Sequence, residues 1–293
     1  MNQHNETMSN EMNELYESIF ISSIIDAICA EKPALEPIFK STDIDKKRTL
    51  ILNFLEENNP EHRLMCSKIQ KTVKLNKGAT KHIKEVVKML REYVEVSDTE
   101  VKTMGEVMTP ISLVEEMLDN LPYEVWTNPD LKWLDPCNGV GTFPSVIIER
   151  LMKGLTEWQP DEELRYKHIM ENMLHVSELQ EKNLFLYLYA FDPENKYDPN
   201  MFCGSYLSKE FDYHMKEIWG VEKFDIVVMN PPYNAGNENS GSAHTLWDKF
   251  VIKVVDQLVE AGYLVAVHPD GWRTLGRGFK DVKNVLKSKQ WAK

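Results

Sequence analysis

Apolar residues are spaced in two different ways along the chain, and the change comes near residue 100. Upstream, apolar positions recur every three or four residues, which indicates amphipathic helices. These predicted helices cover residues 11–31, 50–58, 60–78 and 80–93. Downstream, short apolar runs rich in β-branched residues alternate with helical patterns, which is typical of an α/β fold with a parallel sheet.

Five strands are predicted in the downstream part, at residues 131–135, 175–178, 200–205, 224–229 and 262–268. The predicted helices cover residues 113–118, 145–152, 157–172, 182–191, 246–259 and 279–287. Residues 97–103 form a polar linker, so we expect a small α-helical domain at 1–96 and an α/β domain at 97–293. Within the second domain, residues 234–242 are rich in Gly, Asn and Ser and are predicted to form a mobile loop.

Charge is unevenly distributed along the chain. The net charge is −12, yet residues 46–91 hold 12 Lys and Arg against 4 acidic residues, and residues 273–293 hold 7 against 1. Seven lysines of the first segment recur every three or four residues: Lys68, Lys71, Lys74, Lys77, Lys81, Lys84 and Lys88. Three interpretations fit this stripe: a solvated helix face, phosphate contacts on a nucleic acid, or docking on an acidic surface of a partner or of this chain.

Composition argues against several classes of protein. No apolar run approaches the roughly 18 residues that a membrane span needs, and the longest candidate, residues 19–30, contains Asp26. The polar, acidic N-terminus is unlike a secretory signal. The four cysteines show neither a Cys-x-x-Cys pair nor metal-ligand spacing, which fits a reducing compartment. We therefore expect a cytoplasmic protein without a metal site and without a membrane partner.

The candidate chemistry centres on residues 225–233, which read Asp-Ile-Val-Val-Met-Asn-Pro-Pro-Tyr. The apolar run predicts a buried parallel strand. Pro231 and Pro232 end it, because proline cannot donate a hydrogen bond to a sheet. The strand therefore delivers Asn230 and Tyr233 to its carboxyl end, which is where ligands bind in open α/β sheets.

This turn suits the binding of a planar exocyclic amine. The Asn230 side-chain oxygen would accept one N–H and the Pro231 carbonyl the other. Drawing both hydrogens out of the ring plane localises the nitrogen lone pair, and acceptors already in place do this without reorganisation. Tyr233 offers an aromatic face on which a base can stack. The alternative for the tetrapeptide alone is a proline-rich turn that merely follows a core strand.

A second candidate site follows the strand at 131–135. Residues 135–143 read Asp-Pro-Cys-Asn-Gly-Val-Gly-Thr-Phe and join this strand to a helix. Gly139 and Gly141 allow the backbone to approach a ligand where a side chain would collide. Pro144 replaces the third glycine of the dinucleotide-binding fingerprint. Glu178, at the end of the next strand, is placed to accept both ribose hydroxyls of a nucleoside, or it is a surface residue at a helix start.

Taken together and in this order, the segments of residues 103–275 resemble the S-adenosylmethionine-dependent amino-methyltransferases, above all the DNA adenine-N6 methyltransferases. The resemblance implies a Rossmann-like sheet, S-adenosylmethionine as cofactor, and double-stranded DNA whose target adenine leaves the base stack. It implies catalytic roles for Asn230, Pro231, Pro232 and Tyr233. It implies cofactor contacts from Met108, Thr109, Pro110, Asp135, Pro136, Gly139, Gly141, Phe143, Glu178, Leu179, Ser205 and Asn230.

The chain departs from the family pattern in two ways. Ser205 stands where family members often carry an acidic residue that reaches the adenine amine of the cofactor. The last two antiparallel strands, a target-recognition region and an aromatic partner for Tyr233 are not predicted, so the chain is expected to be a fragment, to rely on a partner subunit, or to have lost methylation.

The expected function is site-specific adenine-N6 methylation of DNA in a restriction-modification or phage modification system. One alternative is methylation of RNA or of a glutamine side chain, because the same tetrapeptide can hold any planar amine. The other is a non-catalytic subunit that binds nucleic acid or a partner.

Overall fold

The structure is a computed structural model, and it describes residues 83, 84, 87, 88, 109–192, 196–235, 244–270 and 280–287. All of them belong to the second of two compact units, Asn76–Lys293. The predicted helices at 11–31, 50–58 and 60–78 lie outside the described residues. Of the helix predicted at 80–93, the four described residues are helical. The domain boundary near residue 96 stays a prediction.

Five parallel strands form the main sheet in the order β3-β2-β1-β4-β7. They are β1 (Trp133–Asp135), β2 (Leu174–Glu178), β3 (Asn200–Cys203), β4 (Phe224–Met229) and β7 (Leu258–Ala266). Two short strands, β5 (Asn234–Ala235) and β6 (His244–Thr245), pair antiparallel. All five strands predicted from the sequence are therefore confirmed, and the sheet gives the chain a Rossmann-like α/β fold.

Seven α-helices accompany these strands in the described part of the unit. They are α1 (Ile111–Leu118), α2 (Thr142–Gly154), α3 (Glu162–His168), α4 (Glu181–Phe191), α5 (Lys209–Tyr213), α6 (Trp247–Gln257) and α7 (Lys280–Lys287). Short π-helical turns, Ile169–Met173 and His214–Ile218, extend α3 and α5. Helix α5 was not predicted, because its five residues are too few to show a helical period.

The start of β7 differs from the prediction. The sequence places the strand at 262–268, after a helix that runs to 259, whereas α6 ends at Gln257 and β7 begins at Leu258. Leu258 pairs with Phe224, and the register then shifts before Ile226. Ala261 in this stretch has φ of 62°. This irregularity breaks the strand pattern in the sequence, and the apolar residues before it continue the helical period.

The core lies on both faces of the central strands. The side chains of Trp133 and Leu134 in β1 and of residues 226–229 in β4 are fully buried. Burial on both faces is the reason that these strands read as continuous apolar runs rather than as alternating ones. Along β7, in contrast, residues are half-buried or exposed, and among the described strands it pairs only with β4.

The lysine stripe is described at two positions only. Lys84 forms ion pairs with Glu115 of α1 and Glu149 of α2, whereas Lys88 is exposed. For Lys84, therefore, the structure favours docking on acidic residues of the same unit over a phosphate contact.

The strand order places the carboxyl ends of β1 and β4 side by side at the middle of the sheet. From β1 the chain proceeds to β2 and β3 on one side, and β4 and β7 lie on the other. A sheet whose order reverses in this way leaves a crevice outside the strand ends, and ligands bind there. Both candidate sites of the sequence follow these two strands.

Candidate functional site

A cavity of about 190 Å³ opens at the carboxyl ends of β1 to β4. Nine of the predicted site residues line it: Thr109, Pro136, Gly139, Phe143, Glu178, Leu179, Ser205, Asn230 and Pro232. Five described ones lie outside its wall: Pro110, Asp135, Gly141, Pro231 and Tyr233. Met108 lies outside the described residues. The structure thus brings the cofactor turn and the start of the Asn-Pro-Pro-Tyr turn to one cavity.

Asn230 is fixed at the end of β4 by contacts on two sides. Its Nδ2 donates a hydrogen bond to Thr109 Oγ1 at 2.9 Å. Its backbone N–H donates to the Cys137 thiol, whose pKa is raised well above its usual value by burial and then by the nearby Asp135 and Glu178 carboxylates. The amide is therefore oriented with its nitrogen toward Thr109, so Oδ1 is the atom presented away from that residue. An accepting oxygen is what the binding of an amine N–H requires.

The rest of the turn is held between the core and β6. Pro231 is buried and Pro232 lines the cavity. The Tyr233 carbonyl accepts a hydrogen bond from the Leu246 N–H at 3.1 Å. The Tyr233 ring is half-buried against the core cluster, and burial raises the pKa of its hydroxyl. Tyr233 thus stands beside the cavity rather than in its wall.

Glu178 fastens the glycine turn to the end of β2. One carboxylate oxygen accepts from the Gly139 N–H at 2.7 Å and the other from the Gln180 N–H at 2.8 Å. From the sequence, this carboxylate is predicted to accept hydrogen bonds from the hydroxyls of a ribose. Each carboxylate oxygen can accept more than one hydrogen bond, so the two observed bonds leave room for that contact. Its structural role is therefore additional to the predicted one.

Asp135 lies beneath the cavity and is fully buried. Its Oδ1 accepts from the Cys137 N–H at 3.2 Å, while Oδ2 has no hydrogen-bond partner among the described residues. Burial raises the pKa of this carboxyl to about 8, against the smaller effect of the Cys137 N–H. Asn138, which the sequence analysis missed, is also buried with an unpartnered oxygen, Oδ1, and lines the cavity. Two buried polar oxygens, Asp135 Oδ2 and Asn138 Oδ1, thus lie at and just after the end of β1 without a hydrogen-bond partner among the described residues.

The two glycines of the turn have different roles. Gly139 has φ of 55° and open space where a Cβ would stand, so it leaves room for a ligand. Gly141 has φ of 92°, and a Cβ there would come within 2.5 Å of the Phe191 ring and 2.8 Å of the Tyr187 ring. These two rings stack with their centroids 4.4 Å apart. Gly141 is therefore needed for packing against α4, and its approach to the ligand stays a prediction.

Gly141→Ala is expected to lower the free energy of unfolding by about 2–4 kcal/mol, since it combines overpacking with a left-handed backbone. Gly139→Ala is the matched control and should lower it by about 1 kcal/mol, because only the backbone term applies. Chemical denaturation of both variants measures this difference. Equal losses would contradict the packing role of Gly141.

Several cavity residues were not singled out by the sequence. Leu246 and Phe250 lie one turn apart at the start of α6 and both face the cavity, which their spacing of four could have indicated. Tyr206 and Leu207 follow β3 in an irregular segment and carry no periodic signal. Pro110 precedes α1 and its carbonyl accepts from the Val114 N–H, so its observed role is to start that helix.

The donor and acceptor set of the cavity suits a cationic ligand. Among the described residues that line it, none is Lys, Arg or His. The Gly139 N–H, which a phosphate would need, already donates to Glu178. The buried Oδ1 of Asn138, which lines the cavity and has no hydrogen-bond partner among the described residues, fits an ammonium group instead. The exposed Leu179 side chain on the same wall offers an apolar surface to a planar base.

A five-stranded parallel sheet with a glycine turn after β1 and an Asn-Pro-Pro-Tyr turn after β4 defines a Rossmann-like methyltransferase domain. A sequence profile of the Eco57I restriction-modification methylase family matches residues 144–293. The chain belongs to that family, and S-adenosylmethionine is the cofactor that this membership implies.

Similar proteins include one from Mycoplasma pneumoniae that is named uncharacterized adenine-specific methylase. It is 30% identical, over 62% of this chain and 59% of its own length. Among solved structures, a type I restriction enzyme modification subunit from Vibrio vulnificus aligns with a TM-score of 0.47 and 19% identity, over 68% of this chain and 41% of that one. The chain thus spans less than two thirds of these relatives.

A class I S-adenosylmethionine-dependent methyltransferase from Listeria monocytogenes aligns with a TM-score of 0.47 and 15% identity, over 70% of this chain and 59% of that one. Across the described ranges, no helix is long and apolar enough to cross a membrane. In the same ranges, His, Cys, Asp and Glu form no group of three that could hold a metal ion.

Proposed function

We propose that this chain is the catalytic region of a site-specific DNA adenine-N6 methyltransferase that uses S-adenosylmethionine. The observation that carries the proposal is the Asn230 amide, which Thr109 orients at the rim of an acceptor-lined cavity. Membership of a restriction-modification methylase family supports it. The name of the Mycoplasma relative points to adenine.

In this proposal, different residues in and near the cavity bind different parts of the cofactor. Asp135 and Asn138 receive the ammonium group, Glu178 receives the ribose hydroxyls, and Leu179 packs on the adenine. Thr109 lies against the methionine chain, and the contacts predicted for Met108 and Pro110 stay predictions. When bound, S-adenosylmethionine supplies a methyl group already activated by its sulfonium, so the protein mainly positions the reactants.

The turn after β4 holds the second reactant. Asn230 Oδ1 and the Pro231 carbonyl accept the two N–H groups of the target amine, and Tyr233 stacks on its ring. Both prolines keep these acceptors in place before the substrate arrives, so little reorganisation accompanies the reaction. An adenine in duplex DNA must leave the base stack to reach this turn.

The setting that fits these residues is a restriction-modification or phage modification system in the cytoplasm. In this proposal residues 97–293 form the catalytic domain behind a helical domain at 1–96. In this proposal, a target-recognition region or a partner subunit contacts the double-stranded DNA together with this chain. Phosphate contacts from the basic segment 46–91, which lies almost wholly outside the described residues, stay a prediction.

The proposal is tested by expressing the chain in a host without DNA methylation and mapping modified adenines by long-read sequencing. In parallel, the purified protein with radiolabelled S-adenosylmethionine is offered duplex DNA, RNA and protein. We expect N6-methyladenine in DNA at one sequence context. Label in RNA or in glutamine, or binding of the cofactor without any transfer, would contradict it.

Thr109→Val is expected to lower kcat by about tenfold, because the Asn230 amide loses the hydrogen bond that fixes its orientation. Thr109→Ser keeps the hydroxyl and should retain most of the activity. Steady-state methylation of duplex DNA distinguishes the two variants. Wild-type kcat in Thr109→Val would show that the hydrogen bond to Asn230 is not needed for turnover.

A further inference from the structure

One wall of the cavity is an irregular segment that follows β3. The four consecutive residues 204–207 line the cavity there. The segment is tied at its start, since the Gly204 N–H donates to the Glu178 carbonyl at 2.9 Å. It ends at Ser208, whose hydroxyl caps α5 by accepting from the Phe211 N–H at 3.2 Å.

Lys253 on α6 holds the far end of this wall through all three of its N–H groups. Its ammonium donates to the carbonyl of Tyr206 at 2.7 Å and to that of Ser208 at 3.2 Å. It also pairs with Asp212 Oδ1 at 2.6 Å. An ammonium has three donors and these are three acceptors. The side chain is only 17% exposed, so the contact is shielded from solvent.

Aromatic rings complete the environment of this ammonium. It lies 4.9 Å from the centroid of the Tyr206 ring and 5.2 Å from that of Phe211, within the range of cation–π attraction. The Tyr206 hydroxyl donates to Gln257 Oε1 at 2.6 Å, and Gln257 Nε2 donates to Asp212 at 3.1 Å. Backbone and ring of Tyr206 are therefore both fastened to α6.

Along the whole length of α6, one face of the helix lines the cavity or supports its wall. Leu246, Phe250, Lys253 and Gln257 follow one another at spacings of four, three and four, which places them on one side of a helix. The first two line the cavity and the last two hold its wall. The helix that follows the candidate catalytic turn thus also shapes the cofactor side of the cavity.

We propose that Lys253 is a positioning residue that sets cofactor affinity by holding the wall at 204–207. The inference rests on the proposed function, because it takes S-adenosylmethionine as the ligand. The unpartnered acceptors of Asp135 and Asn138 lie at the end of β1 and suit the amino-acid end. The wall after β3, with Tyr206 and Leu207, therefore faces the nucleoside end.

The test compares Lys253→Met with Lys249→Met, a control that removes the same charge from an exposed position of the same helix. Calorimetry measures Kd for S-adenosylmethionine and for S-adenosylhomocysteine, which share the nucleoside. We expect Lys253→Met to weaken both about tenfold, and Lys249→Met to leave both unchanged. Lys253→Arg should recover part of the affinity, because it keeps the cation but not the three-way geometry.

Two further readouts separate positioning from general destabilisation. In the ligand-free protein, hydrogen exchange at Tyr206 and Leu207 should rise in Lys253→Met and not in the control. In methylation assays, KM for the cofactor should rise about tenfold with kcat nearly unchanged. If Lys253→Met does not fold, Asp212→Asn removes one ligand of the ammonium from a more exposed position and should weaken binding in the same direction.

Wild-type affinity in Lys253→Met, or an equal loss in the Lys249 control, would overturn the inference. A fall in kcat with unchanged KM would do so as well. Failure of the proposed function is a separate result, since it shows in the wild-type protein, which then binds no S-adenosylmethionine or transfers no methyl group to DNA adenine. The exchange measurement needs no ligand and reports on the wall in both cases.

Discussion

Asn230→Ala is expected to lower the rate of methyl transfer by about 10²–10³-fold, the usual effect of removing one preorganised polar group. The affinity for S-adenosylmethionine should stay within a few-fold of wild type, because the acceptors proposed for the cofactor lie at the ends of β1 and β2 and in the turn after β1. The physical reason is the direction of the amide. With Nδ2 held by Thr109 at 2.9 Å, Oδ1 is the group that would meet the target amine. Single-turnover methylation and calorimetry measure the two quantities on the same preparation.

Asn120→Ala is the matched control, since Asn120 is exposed and its side chain only contacts carbonyls near the end of α1. It should change neither rate nor affinity. Retained activity in Asn230→Ala would remove Asn230 from the catalytic turn. Loss of cofactor binding together with activity would instead move it to the cofactor site.

Asp135→Asn is expected to stabilise the ligand-free protein increasingly as pH rises. Burial raises the pKa of Asp135 from 3.8 to about 8, so the folded protein retains a proton that the unfolded chain releases. Folded stability is therefore highest below the unfolded pKa and falls as pH rises toward 8. Because each unit of pKa corresponds to about 1.4 kcal/mol, the advantage of the variant should grow by about 4 kcal/mol between pH 5 and pH 8.

The same variant should bind S-adenosylmethionine less tightly, by roughly tenfold or more, because a neutral amide replaces the carboxylate proposed for the ammonium. Urea denaturation at pH 5, 6.5 and 8 gives the stability difference, and calorimetry gives the affinity. Asp130→Asn makes the same change at an exposed position and should show neither effect. A pH-independent stability difference for Asp135→Asn would mean that the carboxyl does not titrate in this range.

The sequence predicted all five strands of the sheet, because each is a short, largely apolar run bounded by proline, glycine or polar residues. It missed α5, which is too short for a period, and it placed the start of β7 late, because Leu258 and Val259 continue the spacing of α6. Local sequence patterns thus predict the helices and strands well, but they predict the irregular segments that connect them poorly.

The candidate site divides in the same way. Residues with distinctive local chemistry, such as Asn230 and Gly139, were predicted and do line one cavity. Residues whose role depends on distant contacts were not. Nothing near Asn138 in the sequence shows that its oxygen is buried without a partner, and the link from Lys253 to Tyr206 spans 47 positions. The packing role of Gly141 was not predicted, because the aromatic pair that it accommodates lies on α4.

The double hydrogen bond of Glu178 has a consequence for the thermodynamics of ligand entry. Since this carboxylate anchors the Gly139 and Gln180 amides, contacts within the protein alone hold the turn in place. Little backbone entropy remains to be lost when a nucleoside arrives, and rigid receptors of this kind bind with a smaller entropic penalty. Removing the carboxylate is therefore expected to weaken binding in two ways, by deleting the contact proposed for the ribose and by loosening the turn that carries the neighbouring contacts.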